Sequence, residues 1–360
     1  MKKILKPGIH YLFIFIPISI ILEKMEASAP LIFFSAALSI IPIAKLIGSS
    51  TEQLATYTGD AIGGLLNATF GNLPELIIAV IALKAGLHGM VLASLAGAIL
   101  ANLLLAMGAS FLVGGIKFHN QDYNLTSIRV YSSMMLIAVI SLTVPSGFHI
   151  LTVEKDAIQN ENTLNIYLAV VLLIAYVLYL FFMIKTHPDF FKSEGAEQEE
   201  EQEERWSVPR ALITLVGASV LAAFMSEVLV GAAEETGKVL GMSSGFIGLI
   251  FLAIVGGAAE SISAVSMAAK NKMDLSIGIA LGSSIQIALF VAPVLVIMST
   301  FIGPQQMNLN FARPIIVALF LSVILASMVA GDGRSNWYKG VQLIMIYLMM
   351  GMMLYFMPTL

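Results

Sequence analysis

Cysteine is absent from the 360 residues, and charged side chains make up only 12% of them. Without cysteine, the chain can form neither a disulfide nor a thiolate metal site. The five histidines show no H-x-x-x-H spacing, so the sequence does not indicate a zinc centre. A P-loop and a basic tract are also missing, which argues against an ATP-driven pump and against nucleic-acid binding.

Apolar sequence fills the chain instead, with 58% hydrophobic residues and a mean hydropathy of +0.90. This composition is typical of an integral membrane protein whose spans form most of the chain. Charged or turn-rich breaks divide the apolar sequence and predict eleven spans, at 9–22, 30–48, 55–83, 88–115, 128–147, 164–186, 208–231, 245–269, 275–302, 312–330 and 338–358. The predicted fold class is therefore an all-α polytopic membrane protein.

The N-terminus imitates a signal peptide, with three lysines before a short apolar run and small residues after it. Charged residues at Glu23, Lys24 and Glu26 precede the small residues, so we interpret the run as a retained first span. An N-terminus inside the cell places fourteen lysines and arginines in inner segments and five in outer ones. This bias predicts a cytoplasmic N-terminus and, after eleven spans, a C-terminus outside.

The sequence contains an internal repeat that becomes visible at a shift of 185 residues. The shift aligns the following pairs without a gap: Gly71 with Gly256, Glu75 with Glu260, Ala79 with Ala264, Val80 with Val265 and Gly97 with Gly282. The two units lie five spans apart, so they cross the membrane in opposite directions. We therefore expect one extra helix at 1–28, a first five-helix repeat at 29–187, an acidic cytoplasmic linker at 188–207 and a second, inverted repeat at 208–360.

The linker carries the strongly polar stretch SEGAEQEEEQEE at 193–204. Two interpretations stay open. The stretch is a solvated spacer between the repeats, or it is an acidic antenna that concentrates cations at the inner mouth.

Glu75 and Glu260 are the principal candidates for ligands of a cation or a proton. Each lies in an apolar span, where a carboxylate costs about 2.5–3.5 kcal/mol at the bilayer centre. Glu75 comes nine residues before Lys84, and Glu260 comes ten before Lys270. At a rise of about 1.5 Å per residue, both carboxylates fall about 14–15 Å from opposite faces. The sequence thus predicts that they meet near the midplane.

The backbone around both glutamates is also suited to a cation. Pro74 has no N–H, so a helical carbonyl one turn earlier loses its donor. Gly71 and Gly256 allow the two helices to bend. A hard cation such as Ca²⁺ would satisfy freed carbonyls together with carboxylates and amides, including that of Asn72 one turn before Glu75.

Further candidates are polar residues that we expect beside the central pair or along the ion pathway: Asn102, Ser283, Ser284, Gln286, Glu52, Glu235 and Glu227. The first four follow the weakened helices, and they serve either the site or helix packing. The pair Glu52 and Glu235 should lie at opposite mouths, as entry carboxylates or as solvated helix ends. Glu227 is a third candidate acid within a span.

These motifs resemble the calcium/proton exchanger (CAX) family of the cation/calcium exchanger superfamily, in particular its bacterial branch. The resemblance rests on GLLNATFGNLPELI at Gly64–Ile77, GGAAESISA at Gly256–Ala264 and GSSIQIALFVAP at Gly282–Pro293. It extends to the eleven spans, the inverted repeat and the acidic segment. The second motif departs from the family pattern, because Gly257 and Ser261 occupy positions that commonly hold asparagine and histidine.

The resemblance implies one central site with alternating access. Glu75 and Glu260 match the paired glutamates that bind calcium or protons, Asn72 matches the amide beside them, and Gly71 and Gly256 match positions whose carbonyls face the ion. The implied function is exchange of Ca²⁺ for H⁺, with calcium extruded as protons enter. Neither enzymatic activity nor a cofactor is implied.

The resemblance implies that the protein is a multi-pass protein of the inner (plasma) membrane of a bacterium, in contact with the lipid bilayer. A homo-oligomer is compatible with the sequence. Three alternatives of other kinds are weighed against exchange of calcium for protons. A sodium/calcium exchanger of the same fold would need more oxygen ligands than the second unit offers, and another cation/proton antiporter of this fold stays open. A passive cation channel would need a continuous polar stripe, and an intramembrane enzyme would need a partner for a nucleophile.

Overall fold

The computed structural model describes residues 8–151, 157–188 and 205–357, and within them the chain is almost entirely helical. The acidic stretch at 193–204 and most of the predicted linker lie outside the described residues. In the described part, eight helices have the length and apolar composition to cross a membrane, or nine if one bent pair counts as a span. The predicted all-α polytopic class is confirmed, whereas the count of eleven spans stays a prediction.

The helices of the first half follow the predicted spans except in the second and third. A 3₁₀ turn at Ile9–Ile14 leads into α1, and the remaining elements are α1 (Phe15–Lys24), α2 (Ala29–Phe70), α3 (Leu73–Lys84), α4 (His88–Leu100), α5 (Met107–Phe118), β1 (Asn120–Asp122), α6 (Leu125–Leu151) and α7 (Ala157–Phe181). A π-helical segment, Ala101–Ala106, joins α4 to α5, and another, Phe182–Thr186, extends α7.

The second half repeats this order. It contains α8 (Val208–Leu240), α9 (Ser244–Phe246), α10 (Ala253–Gly256), α11 (Ala258–Ala269), α12 (Met273–Gln286), α13 (Ala292–Ser299), α14 (Arg313–Ala330), β2 (Arg334–Asn336) and α15 (Trp337–Tyr355). Two π-helical segments make longer helices continuous: Ile247–Leu252 joins α9 to α10, and Ile287–Val291 joins α12 to α13.

The break that we predicted between the second and third spans is wrong in position. Those spans were placed at 30–48 and 55–83, but α2 stays helical across the gap between them. The hydroxyls of Ser50 and Thr51 donate to the carbonyls of Leu46 and Ile47, one turn earlier. Because the helix itself satisfies these polar side chains, they do not end it.

The chain instead bends further along α2. A methyl group on Gly63 would lie 2.7 Å from the carbonyl oxygen of Ala55. Eight residues of a straight α-helix rise about 12 Å, so this contact requires a sharp bend between the two positions. The last part of α2, from Gly63 to Phe70, is therefore a separate arm that leads to α3.

The first long helices of the two halves, α2 and α8, pack against each other with opposite directions. Towards the bend of α2, Gln53 Oε1 accepts a hydrogen bond from the backbone N–H of Trp206, and the Tyr57 hydroxyl donates to the Trp206 carbonyl, just before α8 begins. At the start of α2, the ring of Phe33 meets that of Phe251, which follows α8. Since α2 and α8 are equivalent in the repeat, the repeat is inverted.

The end of α11 is fixed to the first half of the chain. Lys117 Nζ donates to the carbonyl of Ala269 at 2.7 Å, and Gln121 Nε2 donates to that of Ala268 at 3.0 Å. Gln121 belongs to β1, which pairs antiparallel with β2. These contacts cap the C-terminal carbonyls of α11 and hold the helix that carries Glu260.

Candidate functional site

Both predicted weak points are breaks between two helices. α2 ends at Phe70, and α3 begins at Leu73, with Pro74 in its first turn. In the second unit, α10 and α11 meet at Gly257 with a bend of 56°. Glu75 and Glu260 each lie in the first turn after the break, where the positive end of a helix dipole favours a negative charge.

The two carboxylates lack the hydrogen bonds that buried acids normally have. Glu75 is buried, and among the described residues neither of its carboxylate oxygens has a hydrogen-bond partner. Glu260 is half-buried, and its Oε2 is likewise buried without a partner. The two carboxyl groups are close enough to interact electrostatically. Because unpaired buried carboxylates are costly, this arrangement is suited to binding a cation or a proton.

Gly256 is required for the position of Glu75. A methyl group on Gly256 would lie 2.9 Å from Glu75 Cγ, closer than ordinary van der Waals contact. One on Gly257 would lie 3.6 Å from Glu75 Oε1 and 3.7 Å from Asn102 Oδ1. Gly256 of the second unit thus makes room for the glutamate of the first, whereas a methyl on Gly257 would be in ordinary van der Waals contact.

A chain of hydrogen bonds joins the two units beside the carboxylates. Asn102 Nδ2 donates to Ser283 Oγ at 3.1 Å, and Ser283 Oγ donates to Asn72 Oδ1 at 3.0 Å. Asn72 Nδ2 in turn donates to Gln286 Oε1. Both polar atoms of Asn72 are therefore engaged within the protein, so in this state Asn72 braces the break between α2 and α3.

The structure places three other candidates away from this cluster. Ser284 donates to the carbonyl of Ala280 in its own helix at 2.9 Å. Glu235 is exposed, and its carboxylate lies 3.4 Å from Lys238 Nζ on the surface of α8. Glu227 is also exposed on α8. None of the three is among the described residues that line the central cavity.

A cavity of about 330 Å³ leads from one end of the molecule to the site. Of the residues expected at the site, those that line it are Glu52, Gly71, Asn72, Glu260, Ser283 and Gln286. Glu75 is not among the described residues on its wall. The cavity opens at the end that holds β1, β2 and the start of α8, which is the predicted cytoplasmic end.

Sequence reasoning missed several residues of the cavity wall, including Asn67, Tyr131, Tyr179, Ser263 and Asp274. Asp274 is the only acid among them, and its Oδ1 accepts a hydrogen bond from the backbone N–H of Asn124 at 2.6 Å. Its position just before the ninth predicted span was a usable signal, because Glu52 has a similar place at an inner helix end. The tyrosines follow the apolar pattern of their helices and carried no such signal.

An inverted helical repeat with buried acids at its two central breaks defines a secondary transporter of the membrane. The model of the sodium/calcium exchanger protein family matches residues 28–185 and 210–356. The chain belongs to this family.

Named relatives cover nearly the whole chain. It is 42% identical to the Ca²⁺/H⁺ antiporter ChaA of Bacillus subtilis (strain 168), over 93% of this chain and 95% of the relative. It is 39% identical to a Ca²⁺/H⁺ antiporter of Aphanothece halophytica, over 97% and 96%. The crystal structure of the Ca²⁺/H⁺ antiporter protein YfkE superposes with a TM-score of 0.82 at 38% identity, covering 97% of this chain and all of that one.

Proposed function

We propose that this chain exchanges Ca²⁺ for H⁺ across a membrane and that Glu75 and Glu260 bind both ions. The observation that carries the proposal is the pair of carboxylates at the two helix breaks, with three buried oxygens that have no hydrogen-bond partner in the part of the chain that the structure describes. Oxygen ligands of this kind suit calcium. Two similar relatives and a similar solved structure are named as Ca²⁺/H⁺ antiporters.

The charges of the site explain why the two ions compete. When Ca²⁺ is bound, two ionised glutamates cancel its charge. When calcium leaves, two like charges in a poorly solvated site are unfavourable together, so protons replace it. The site is then close to neutral in both loaded forms, which favours movement across the membrane in those forms only.

The cavity supports an assignment of the side of the membrane from which ions reach the site. Glu260 and Glu52 line the cavity at the predicted cytoplasmic end, whereas the void beside Glu75 measures only about 10 Å³, room for one water at most. In our proposal this is an inward-facing state. The N-terminus is cytoplasmic, the C-terminus is outside, and the membrane is the inner membrane of a bacterium.

Reconstituted vesicles test the proposal against a sodium/calcium exchanger and a channel. We expect an imposed pH gradient to drive saturable calcium uptake, with protons moving the opposite way. Uptake driven by a sodium gradient alone, without proton movement, would contradict the proposal. Uptake that does not saturate and ignores both gradients would indicate a channel.

A matched pair of variants tests the site itself. Glu260→Gln should abolish exchange, because it removes one of the two charges that balance calcium. Glu227→Gln makes the same chemical change on the exposed face of α8 and should leave exchange intact. Full exchange by Glu260→Gln would remove this residue from the proposed site.

A further inference from the structure

Two helices meet without intervening side chains on the side of the site away from the cavity. A methyl group on Gly97 of α4 would lie 1.9 Å from the carbonyl oxygen of Leu249. One on Gly248 would lie 2.5 Å from the carbonyl oxygen of Met90. The backbones of α4 and of the helix that joins α9 to α10 are therefore in direct contact. This glycine crossing seals the outer side of the site.

The repeat provides a second copy of the residues that form this crossing. The shift of 185 residues relates them as follows: Gly97 to Gly282, Leu249 to Gly64, Gly248 to Gly63, and Met90 to Leu275. Three of the four residues of the second copy are glycines, and both glycines of the outer crossing are kept. The inner copy thus retains the feature that allows two backbones to touch.

The inner copy is open in this structure. Among the described residues, no atom beyond the neighbouring turns of its own helix lies within 4 Å of a methyl group placed on Gly282, and the atoms nearest to a methyl on Gly63 belong to Ala55 of its own helix. Both Gly282 and Leu275 line the cavity. Gly282 and Leu275 thus line a cavity on the inner side, whereas their equivalents on the outer side meet a second helix backbone.

We propose that the inner gate closes when the arm of α2 at Gly63–Gly64 packs on α12 at Leu275 and Gly282, in the geometry of the outer crossing. This inference rests on the proposed function, because it assigns the contact by which the exchanger closes the site to the cytoplasm. A side chain at position 282 would then clash only in the outward-facing state, when the inner crossing is closed.

The arm now lies against α7 instead. Thr69, near its end, is hydrogen-bonded to the hydroxyl of Tyr176. The ring of Tyr176 is stacked on that of Phe290, with 5.2 Å between centroids. In this proposal the hydrogen bond between Thr69 and Tyr176 breaks when Gly63–Gly64 moves onto Leu275 and Gly282, so the bond favours the open cavity.

Two alanine substitutions on α12 distinguish a gate glycine from an ordinary one. Gly282→Ala fits the open space of this structure but would clash in the closed crossing. Gly278→Ala, one turn earlier on the cavity wall, would place its methyl 3.7 Å from the Tyr131 hydroxyl. Its equivalent in the outer crossing is Ala93, which already carries a methyl. Because overpacking a tight contact destabilises the closed state, we expect Gly282→Ala to slow exchange by about tenfold or more. We expect Gly278→Ala to slow it by less than about twofold.

A labelling measurement separates the gate from other causes of lost transport. Because the chain has no cysteine, Ser263→Cys gives a single thiol on the cavity wall. Its reaction with a membrane-impermeant maleimide, added from the cytoplasmic side, is followed under opposing calcium and pH gradients. We expect gradients that favour the outward-facing state to slow labelling in the parent and with Gly278→Ala, but not with Gly282→Ala.

Each outcome decides the question. The proposed gate would be wrong if Gly282→Ala exchanged calcium as fast as Gly278→Ala. It would also be wrong if labelling still slowed with Gly282→Ala. Labelling that never slows in the parent would overturn it as well. A parent that shows no calcium/proton exchange would contradict the proposed function, while the labelling experiment still tests the gate.

Discussion

Replacing Glu75 by glutamine isolates the contribution of one charge at the centre of the site. The substitution keeps the size of the side chain and exchanges one carboxylate oxygen for an amide. Glu75 is buried, and neither of its oxygens has a hydrogen-bond partner within residues 8–151, 157–188 and 205–357. Glu75→Gln therefore breaks no hydrogen bond of this structure, and its effect should fall on ion binding.

The size of the effect follows from the charge that is removed. Two unit charges 4 Å apart interact by about 4 kcal/mol at an effective dielectric constant of about 20. A dication at ligand distance is attracted more strongly, and desolvation offsets part of that gain, so we keep about 4 kcal/mol. Since about 1.4 kcal/mol corresponds to a factor of ten, calcium should bind about a thousandfold more weakly.

Calcium titration of the purified protein by calorimetry, together with thermal unfolding, measures both consequences. We expect the affinity to fall as stated, while the calcium-free protein unfolds at the same temperature or a higher one, because glutamine is neutral without having to bind a proton. Glu235→Gln is the control, since Glu235 is exposed and paired only with Lys238 at 3.4 Å. An affinity reduced less than about tenfold by Glu75→Gln would refute the assignment of Glu75 as a charged calcium ligand.

Three further predictions test the surroundings of the site. Gly97→Ala should open the outer crossing and reduce exchange by about tenfold or more, whereas Gly89→Ala on the same helix, with open space around it, should not alter transport rates. Ser283→Ala should lower exchange several-fold without changing the expression level, because it removes the hydrogen bond to Asn72. Glu52→Gln should weaken apparent calcium affinity at low ionic strength only, as expected for an acid that attracts cations to the cavity mouth.

Much of the fold could be predicted because the membrane restricts what a chain can do. Apolar length and the placement of basic residues predicted helices within a few residues of those observed, as for 88–115 and His88–Phe118. The exception, α2, arises because a polar Ser–Thr pair looks like a loop in sequence but forms hydrogen bonds within its helix. Hydropathy does not show whether a hydroxyl group bonds to a carbonyl of its own helix, because that depends on side-chain geometry.

The site was predictable to the level of its acids, but not of its neighbours. A carboxylate in an apolar span is conspicuous because it is costly. The hydrogen bond between Asn72 and Gln286 joins residues 214 positions apart. No local sequence pattern indicates such a contact. Ser284 and Glu235 are polar residues at positions that suggested the site or the ion pathway. In the structure Ser284 donates to a carbonyl of its own helix, and Glu235 is exposed on the surface.

The repeat also explains why sequence alone cannot give the exposure of the two glutamates. Glu75 and Glu260 have equivalent places after equivalent breaks, yet Glu75 is buried and Glu260 lies on the cavity wall. Because the two glutamates have equivalent places in the repeat, we expect this difference in exposure to depend on the conformational state. In the outward-facing state the two acids should exchange roles, with Glu75 accessible and Glu260 enclosed. A pair of solvent-accessibility measurements at these positions, made under gradients that favour each state, should therefore give opposite rankings.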